Sequence, residues 1–282
     1  MRKIRPIGIH VSLWTPQWTD DIVEHIHTAA RIGFNSVELP IMDSEIFPTE
    51  RCLHAVSEHN MQVYCGTGLN PSTEICSSDA SIRTQGMKHI KRCISIAAKL
   101  GSPTLEGVLH SAWGRKVPLT TEERNHMVTN LHELGTYAEN FGVSLCLECL
   151  NRYESAVLNT TSQGLELLEE INHPSVKIHL DTYHMNIEED SISGAIIAAG
   201  KHLGFLHLSE NQRGYPGSGH LPWPEIFNTI IESPYTGPLV IESYVSPSYP
   251  LSPDVSIWRY IEPDTSESLQ KSLRFVQSFF SE

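Results

Sequence analysis

Eight short apolar runs recur along this chain, and each is followed by a longer amphipathic stretch. The runs are Ile7–Leu13, Ser36–Leu39, Gln62–Thr67, Thr104–Leu109, Ser144–Glu148, Lys177–Asp181, Gly204–Leu208 and Leu239–Glu242. They are near-continuous rather than strictly alternating in polarity, the pattern of parallel strands covered by helices on both sides of the sheet. Between them, Ile22, Ile26, Ala29 and Ala30 share a face before Gly33. Ile90, Ile94, Ala97 and Ala98 do so before Gly101, and Val128, Leu131 and Leu134 before Gly142. Apolar residues three and four apart, closed by glycine, mark a helix and its end. Thr120 with Glu123 makes a capping box for the fourth helix, and Pro222 and Pro224 suit the opening of the seventh, where a missing N–H costs little. Eight strand–helix alternations predict an α/β fold, a (β/α)8 barrel formed by residues 1–282 as one domain. An open doubly wound sheet is the rival, but no Gly-x-Gly-x-x-Gly turn follows the first strand.

Four runs in the second half end on residues able to bind a metal ion: Glu148, Asp181, His207 and Glu242. Burying an acid or an imidazole at the tip of an apolar strand costs several kcal/mol, about 1–3 or more per group, unless something compensates it. Four such tips, 33, 26 and 35 residues apart, suggest converging ligands. In a barrel they cap strands five to eight, at the C-terminal face where functional side chains gather. Three carboxylates and one imidazole suit Mn²⁺, Mg²⁺ or Co²⁺ better than a thiolate-loving ion.

Composition removes other classes. The net charge is −13 with no lysine- or arginine-rich run, which argues against nucleic acid as the main partner. No run approaches the ~20 apolar residues needed to span a bilayer, and no long apolar stretch follows the basic residues of MRKIRPIGIH, so no signal peptide is expected. Six scattered cysteines fit reduced thiols in a cytoplasmic protein. Cys146-x-x-Cys149 falls on an extended run, where the two thiols point to opposite faces and share no zinc. Trp14, Trp18 and Trp113 follow the first and fourth strands, placed either to wall a pocket or to pack in the core. Arg152 is expected in an ion pair, and Ile187–Asp190 at a solvated helix start.

Smaller spacings sharpen the pattern. Glu154 follows Glu148 by six residues, His184 follows Asp181 by three, and Arg213 follows His207 by six. With LCLECLNRYESAVLNT (145–160), VKIHLDTYHMNIEED (176–190), HLSENQRGYPGSGHLPWPEI (207–226) and LHSAW (109–113), the chain resembles the D-tagatose 3-epimerase / D-allulose (psicose) 3-epimerase family of xylose-isomerase-like barrels. The resemblance implies a divalent metal, Mn²⁺ first and Co²⁺ or Mg²⁺ next, held by Glu148, Asp181, His207 and Glu242. It implies that Glu148 and Glu242 double as the acid/base pair and that Glu154, His184 and Arg213 bind substrate oxygens. Trp18 and Trp113 are expected as pocket walls, with Cys65, Leu109 and Tyr244 near the far end of a sugar. His10 stands where the family carries an aromatic residue. The implied substrate is a free ketose (D-allulose/D-fructose, D-tagatose/D-sorbose or a ketopentose), and the implied assembly a homodimer or homotetramer. A 1,2-isomerase of the hydroxypyruvate isomerase type or a dehydratase of the inosose or dehydroshikimate type begins with the same proton removal and stays open at this point. An abasic-site endonuclease is disfavoured by the acidic charge and the single metal quartet.

Overall fold

The computed structural model describes residues 5–18, 20–263 and 266–280, so both ends of the expected 1–282 domain lie outside the described residues. All eight expected strands form. They are β1 (Ile7–His10), β2 (Ser36–Pro40), β3 (Gln62–Leu69), β4 (Thr104–Ala112), β5 (Ser144–Glu148), β6 (Val176–Asp181), β7 (Leu203–Leu208) and β8 (Leu239–Ile241). They pair in parallel, each with its neighbour in sequence, and β8 closes onto β1.

Nine helices lie among the described residues. They are α1 (Val23–Ile32), α2 (Thr49–Glu58), α3 (Ala80–Leu100), α4 (Thr121–Glu139), α5 (Thr161–Ile171), α6 (Thr182–Glu188), α7 (Ile192–Ala199), α8 (Trp223–Glu232) and α9 (Ser266–Phe280). The expected Thr120/Glu123 capping box opens α4, and Thr160 with Gln163 builds a second one at α5. Each such cap is worth about 1 kcal/mol. Pro222 and Pro224 stand at the start of α8 as expected.

Two local expectations are corrected. The first strand stops at His10 rather than Leu13, because the His10 side chain accepts the backbone N–H of Ser12 and turns Val11–Trp14 into a 3₁₀ turn. The Ile187–Asp190 segment ends helix α6 instead of starting one. The helix begins at once after β6 because Asp181 caps it, and Glu188 is held at its last turn by Arg152 at 2.9 Å.

Side-chain alternation along the strands sorts the interior into two regions. The larger apolar core lies between strands and helices. A separate small cluster of Tyr64, Cys146, Phe205 and Val240 fills the barrel, with Tyr64 and Phe205 edge to face at 5.5 Å. A strand repeats its facing every two residues. Two positions beyond Cys146, Phe205 and Val240 stand Glu148, His207 and Glu242. The same pleat that fills the barrel with apolar groups therefore aims these three at its C-terminal mouth.

Candidate metal centre and active site

At that mouth, one ligand atom each from Glu148, Asp181, His207 and Glu242 lies within 4.8 Å of the others, and all four residues are buried. His207 sits at the middle. Its Nδ1 is 3.5 Å from Glu242 Oε2, 3.8 Å from Asp181 Oδ2 and 4.0 Å from Glu148 Oε1. That Nδ1 is buried without a hydrogen-bond partner, while Nε2 lies 2.6 Å from Glu38 Oε2. An imidazole tied to a carboxylate through one nitrogen, with the other turned toward three acids, is oriented as metal-ligating histidines are. Asp181 is fixed likewise: Oδ1 accepts the Tyr183 N–H at 2.6 Å at the start of α6, leaving Oδ2 for the site. Donor set, convergence and the orphaned Nδ1 all fit a hard or borderline divalent cation.

The electrostatics divide the two glutamates. Burial, with Glu242 beside it, pushes the Glu148 carboxyl well above the usual carboxylate range. Burial acts on Glu242 in the same direction, but Arg213 and His207 outweigh it and hold Glu242 well below. Asp181 is pushed up to about 7, chiefly by burial, against the pull of Arg213. Two carboxyl groups whose surroundings drive their proton affinities apart are suited to acid and base work.

Arg213 is the internal counter-charge. Its Nη1 donates to Asp181 Oδ2 at 2.7 Å and Glu242 Oε2 at 2.5 Å, and the guanidinium lies 4.4 Å from the Tyr183 ring centroid. Its backbone is left-handed, φ 69°, which a non-glycine residue adopts only where the surroundings impose it. Glu210 imposes it. This fully buried carboxylate accepts Trp223 Nε1 at 2.6 Å, Gly217 N at 3.1 Å and Asn211 N at 3.0 Å, locking the loop after β7.

His184 accepts from the Asn151 amide at 2.8 Å and its backbone N–H at 3.2 Å, both through Nδ1. Its Nε2 faces the Arg213 Nη2 donor at 3.1 Å and lies 3.8 Å from Glu148 Oε1. Asn151 also donates to Glu154 Oε1 at 3.0 Å, and Trp113 Nε1 donates to Glu154 Oε2 at 3.4 Å. Thus Asn151 orients both expected substrate contacts. Arg152 next to it makes only the structural pair with Glu188.

A cleft opens over Glu148, His207 and Glu242, and His10, Trp18, Trp113, Glu154, His184, Arg213 and Tyr244 all line it. Trp18 and Trp113 meet edge to face at 5.9 Å and pack against the segment after β8 through Leu251, Val255 and Ile257. Tyr244 donates to Glu242 Oε1 at 3.3 Å. Trp14 instead packs against the core near His25. Two expected pocket residues are corrected. Cys65 and Leu109 are fully buried in the strand–helix core. The lining residues are their neighbours Gly66 and Val108, because a shift of one residue along a strand reverses its facing. Cys146 and Cys149 do face apart, one inside the barrel and one in the outer core, and all six cysteines are free.

Three residues were not foreseen as parts of the site. Glu38 bonds His207 through Oε2. Glu106 is fully buried with both carboxylate oxygens unpartnered, and burial with Glu38 nearby raises it well above its usual range. His179 packs edge to face on His207, ring centroids 4.3 Å apart, with both nitrogens unpartnered. Gly66 belongs with them, since a Cβ there would stand 2.7 Å from Glu38 Oε1.

Known proteins carry the same arrangement of chain. The xylose isomerase-like TIM barrel family matches residues 26–278. The L-ribulose 3-epimerase of Methylomonas sp. (strain DH-1) is 32% identical over 276 residues, covering 96% of each chain. The ketose 3-epimerase of Arthrobacter globiformis is 33% identical over 267 residues, 93% of this chain and 92% of that one. Among solved structures, the D-allulose 3-epimerase of Methylomonas sp. in complex with D-allulose superposes with a TM-score of 0.91 at 31% identity, over 99% of this chain and 98% of that one. Fold, site geometry and relatives agree: the chain belongs to the xylose isomerase-like TIM barrels, and within them to the ketose 3-epimerase family.

Proposed function

We propose that this protein is a divalent-metal-dependent ketose 3-epimerase acting on free ketoses such as D-allulose/D-fructose, D-tagatose/D-sorbose or ketopentoses. The observation that carries the reading is the convergence of Glu148 and Glu242 with Asp181 and His207 in one buried quartet. Glu148, Asp181, His207 and Glu242 would hold the ion, Mn²⁺ in first place and Co²⁺ or Mg²⁺ next. When bound, the cation supplies Lewis-acid stabilisation of negative charge on the substrate oxygens, worth several kcal/mol on the order of metal-assisted catalysis generally.

The chain's own groups perform the proton work. One glutamate takes the proton from C3, and the bonding pair moves into C2–C3 to give an enediolate. The other glutamate delivers its proton to C3 from the opposite face, and the roles exchange in the reverse direction. Glu148 at the end of β5 and Glu242 just after β8 supply the two carboxyls. Arg213 donates to substrate oxygens, His184 bonds a substrate oxygen beside it, and Glu154 accepts from a hydroxyl. Trp18, Trp113 and the segment after β8 keep water out, which protects the enediolate and strengthens these contacts. Among the described residues no phosphate-cradling loop or basic cluster accompanies the site, in keeping with an unphosphorylated sugar. The reading includes a cytoplasmic homodimer or homotetramer.

The test is a panel of ketoses with Mn²⁺ in D₂O. The C3 epimer carrying deuterium at C3 is expected. An aldose product would point to a 1,2-isomerase, loss of water to a dehydratase, and no turnover on hexuloses or pentuloses would overturn the proposal.

A further inference from the structure

Far from the mouth, on the outer helical layer, His27 of α1 faces the end of α2, where Glu58 is the last helical residue and His59 the cap. His27 Nδ1 and His59 Nε2 are 2.8 Å apart, and the rings meet edge to face at 5.0 Å. With a carboxylate oxygen of Glu58 they place three potential ligand atoms within 4.8 Å of one another. We propose that His27, Glu58 and His59 form a second divalent-cation site, independent of the barrel mouth and suited to a borderline ion such as Zn²⁺.

The ligand chemistry favours zinc over the harder ions expected in the barrel. Two imidazoles and one carboxylate, completed by water, are a donor set that Zn²⁺ takes readily in a tetrahedral arrangement. Tetrahedral bonds of ~2.0–2.1 Å put two nitrogens roughly 3.3 Å apart, so the pair need open only slightly. The hydrogen bond now joining the rings uses the two nitrogens a cation would take. Binding therefore requires one ring to move its proton to its other nitrogen, with no net charge change on either imidazole.

Two features of the surroundings favour a cation. Glu58 and His59 sit at the C-terminal end of α2, where unpaired carbonyls make the helix end negative. Glu24 stands one turn before His27 on α1 and interacts electrostatically with it, although Arg31 takes its carboxylate at 2.9 Å.

A bound ion would join α1 to α2 across the outer layer. The experiment is equilibrium dialysis of metal-stripped wild type and the His27→Gln/His59→Gln variant against micromolar Zn²⁺, with the bound metal counted. The variant is expected to hold one equivalent fewer than wild type, whatever the barrel site binds, and to keep wild-type ketose turnover with Mn²⁺. Equal zinc content in the two proteins would overturn the site. Melting in chelator checks that the variant is folded. If it is not, Glu58→Gln, which keeps both imidazoles, should bind zinc at this site more weakly than wild type, and unchanged affinity there would overturn the proposal equally.

Discussion

Glu38 Oε2 lies 2.6 Å from His207 Nε2, across the barrel from β2 to β7. A carboxylate in that position fixes the ring's tautomer and turn, and such partners commonly govern metal affinity by about 10–100-fold. Glu38→Gln is accordingly expected to weaken Mn²⁺ binding by that order, read by isothermal titration. Unchanged affinity would reduce Glu38 to a brace of the barrel wall.

Glu148→Gln and Glu242→Gln should each fold and each lose most turnover. An amide keeps an oxygen for the cation but exchanges no proton near neutral pH, and general acid–base groups contribute about 10²–10⁴-fold. Deuterium uptake at C3 should fall with epimerisation. Near-normal kcat in either variant, with normal metal content, would end the two-carboxylate mechanism.

Arg213 neutralises Asp181 and Glu242 inside a buried site, and removing one partner of such a network costs about 3–5 kcal/mol. Arg213→Ala should therefore melt on the order of 10 °C below wild type in chelator. Mn²⁺ should restore much of that stability, since the cation replaces the missing charge, while KM for ketose stays raised. An unchanged melting point in chelator would show that the guanidinium is not the compensating charge.

The sequence carried the barrel plainly, because its strands are apolar runs and its helices are closed by glycine at Gly33 and Gly101. It carried the quartet too, since acids and a histidine at strand tips stand out against apolar neighbours. Facing was harder to read. In strands buried on both sides, polarity does not tell inside from outside, so Cys65 and Leu109 were assigned to the cleft that Gly66 and Val108 line. Glu38, Glu106 and His179 hid for the same reason: their neighbours are equally apolar on either face. Asn151 and Glu210 act through hydrogen bonds to residues distant in sequence, which spacing does not reveal.

His110 tests the pH response away from the metal ligands. It is fully buried with both nitrogens unpartnered, and burial alone lowers it to about 4. An unfolded histidine titrates near 6.5, so between about pH 6.5 and 4 the unfolded chain binds the extra proton and stability falls as pH falls. The loss approaches about 3 kcal/mol at the bottom of that window, and the full contribution is present above pH 6.5. His110→Phe removes the titration, so its denaturant midpoint should decline less between pH 6.5 and 4. Parallel declines for variant and wild type would show that His110 does not report on acid unfolding.

His10 lines the cleft wall. Its Nδ1 is engaged by Ser12, and its Nε2 stands 3.5 Å from Glu38 Oε1. Burial, the leading influence, lowers its proton affinity, so it acts as a neutral hydrogen-bonding ring and not as a charge. A phenyl group fills the same space without donor or acceptor. His10→Phe should therefore change the ranking of ketoses that differ at C4 to C6. Mn²⁺ affinity should hold, because Glu38 keeps its shorter bond to His207. The measurement is kcat/KM across hexuloses and pentuloses beside a metal titration. A loss by one common factor on every ketose, ranking preserved, would assign His10 to the chemistry at C3 instead of the distal end of the sugar.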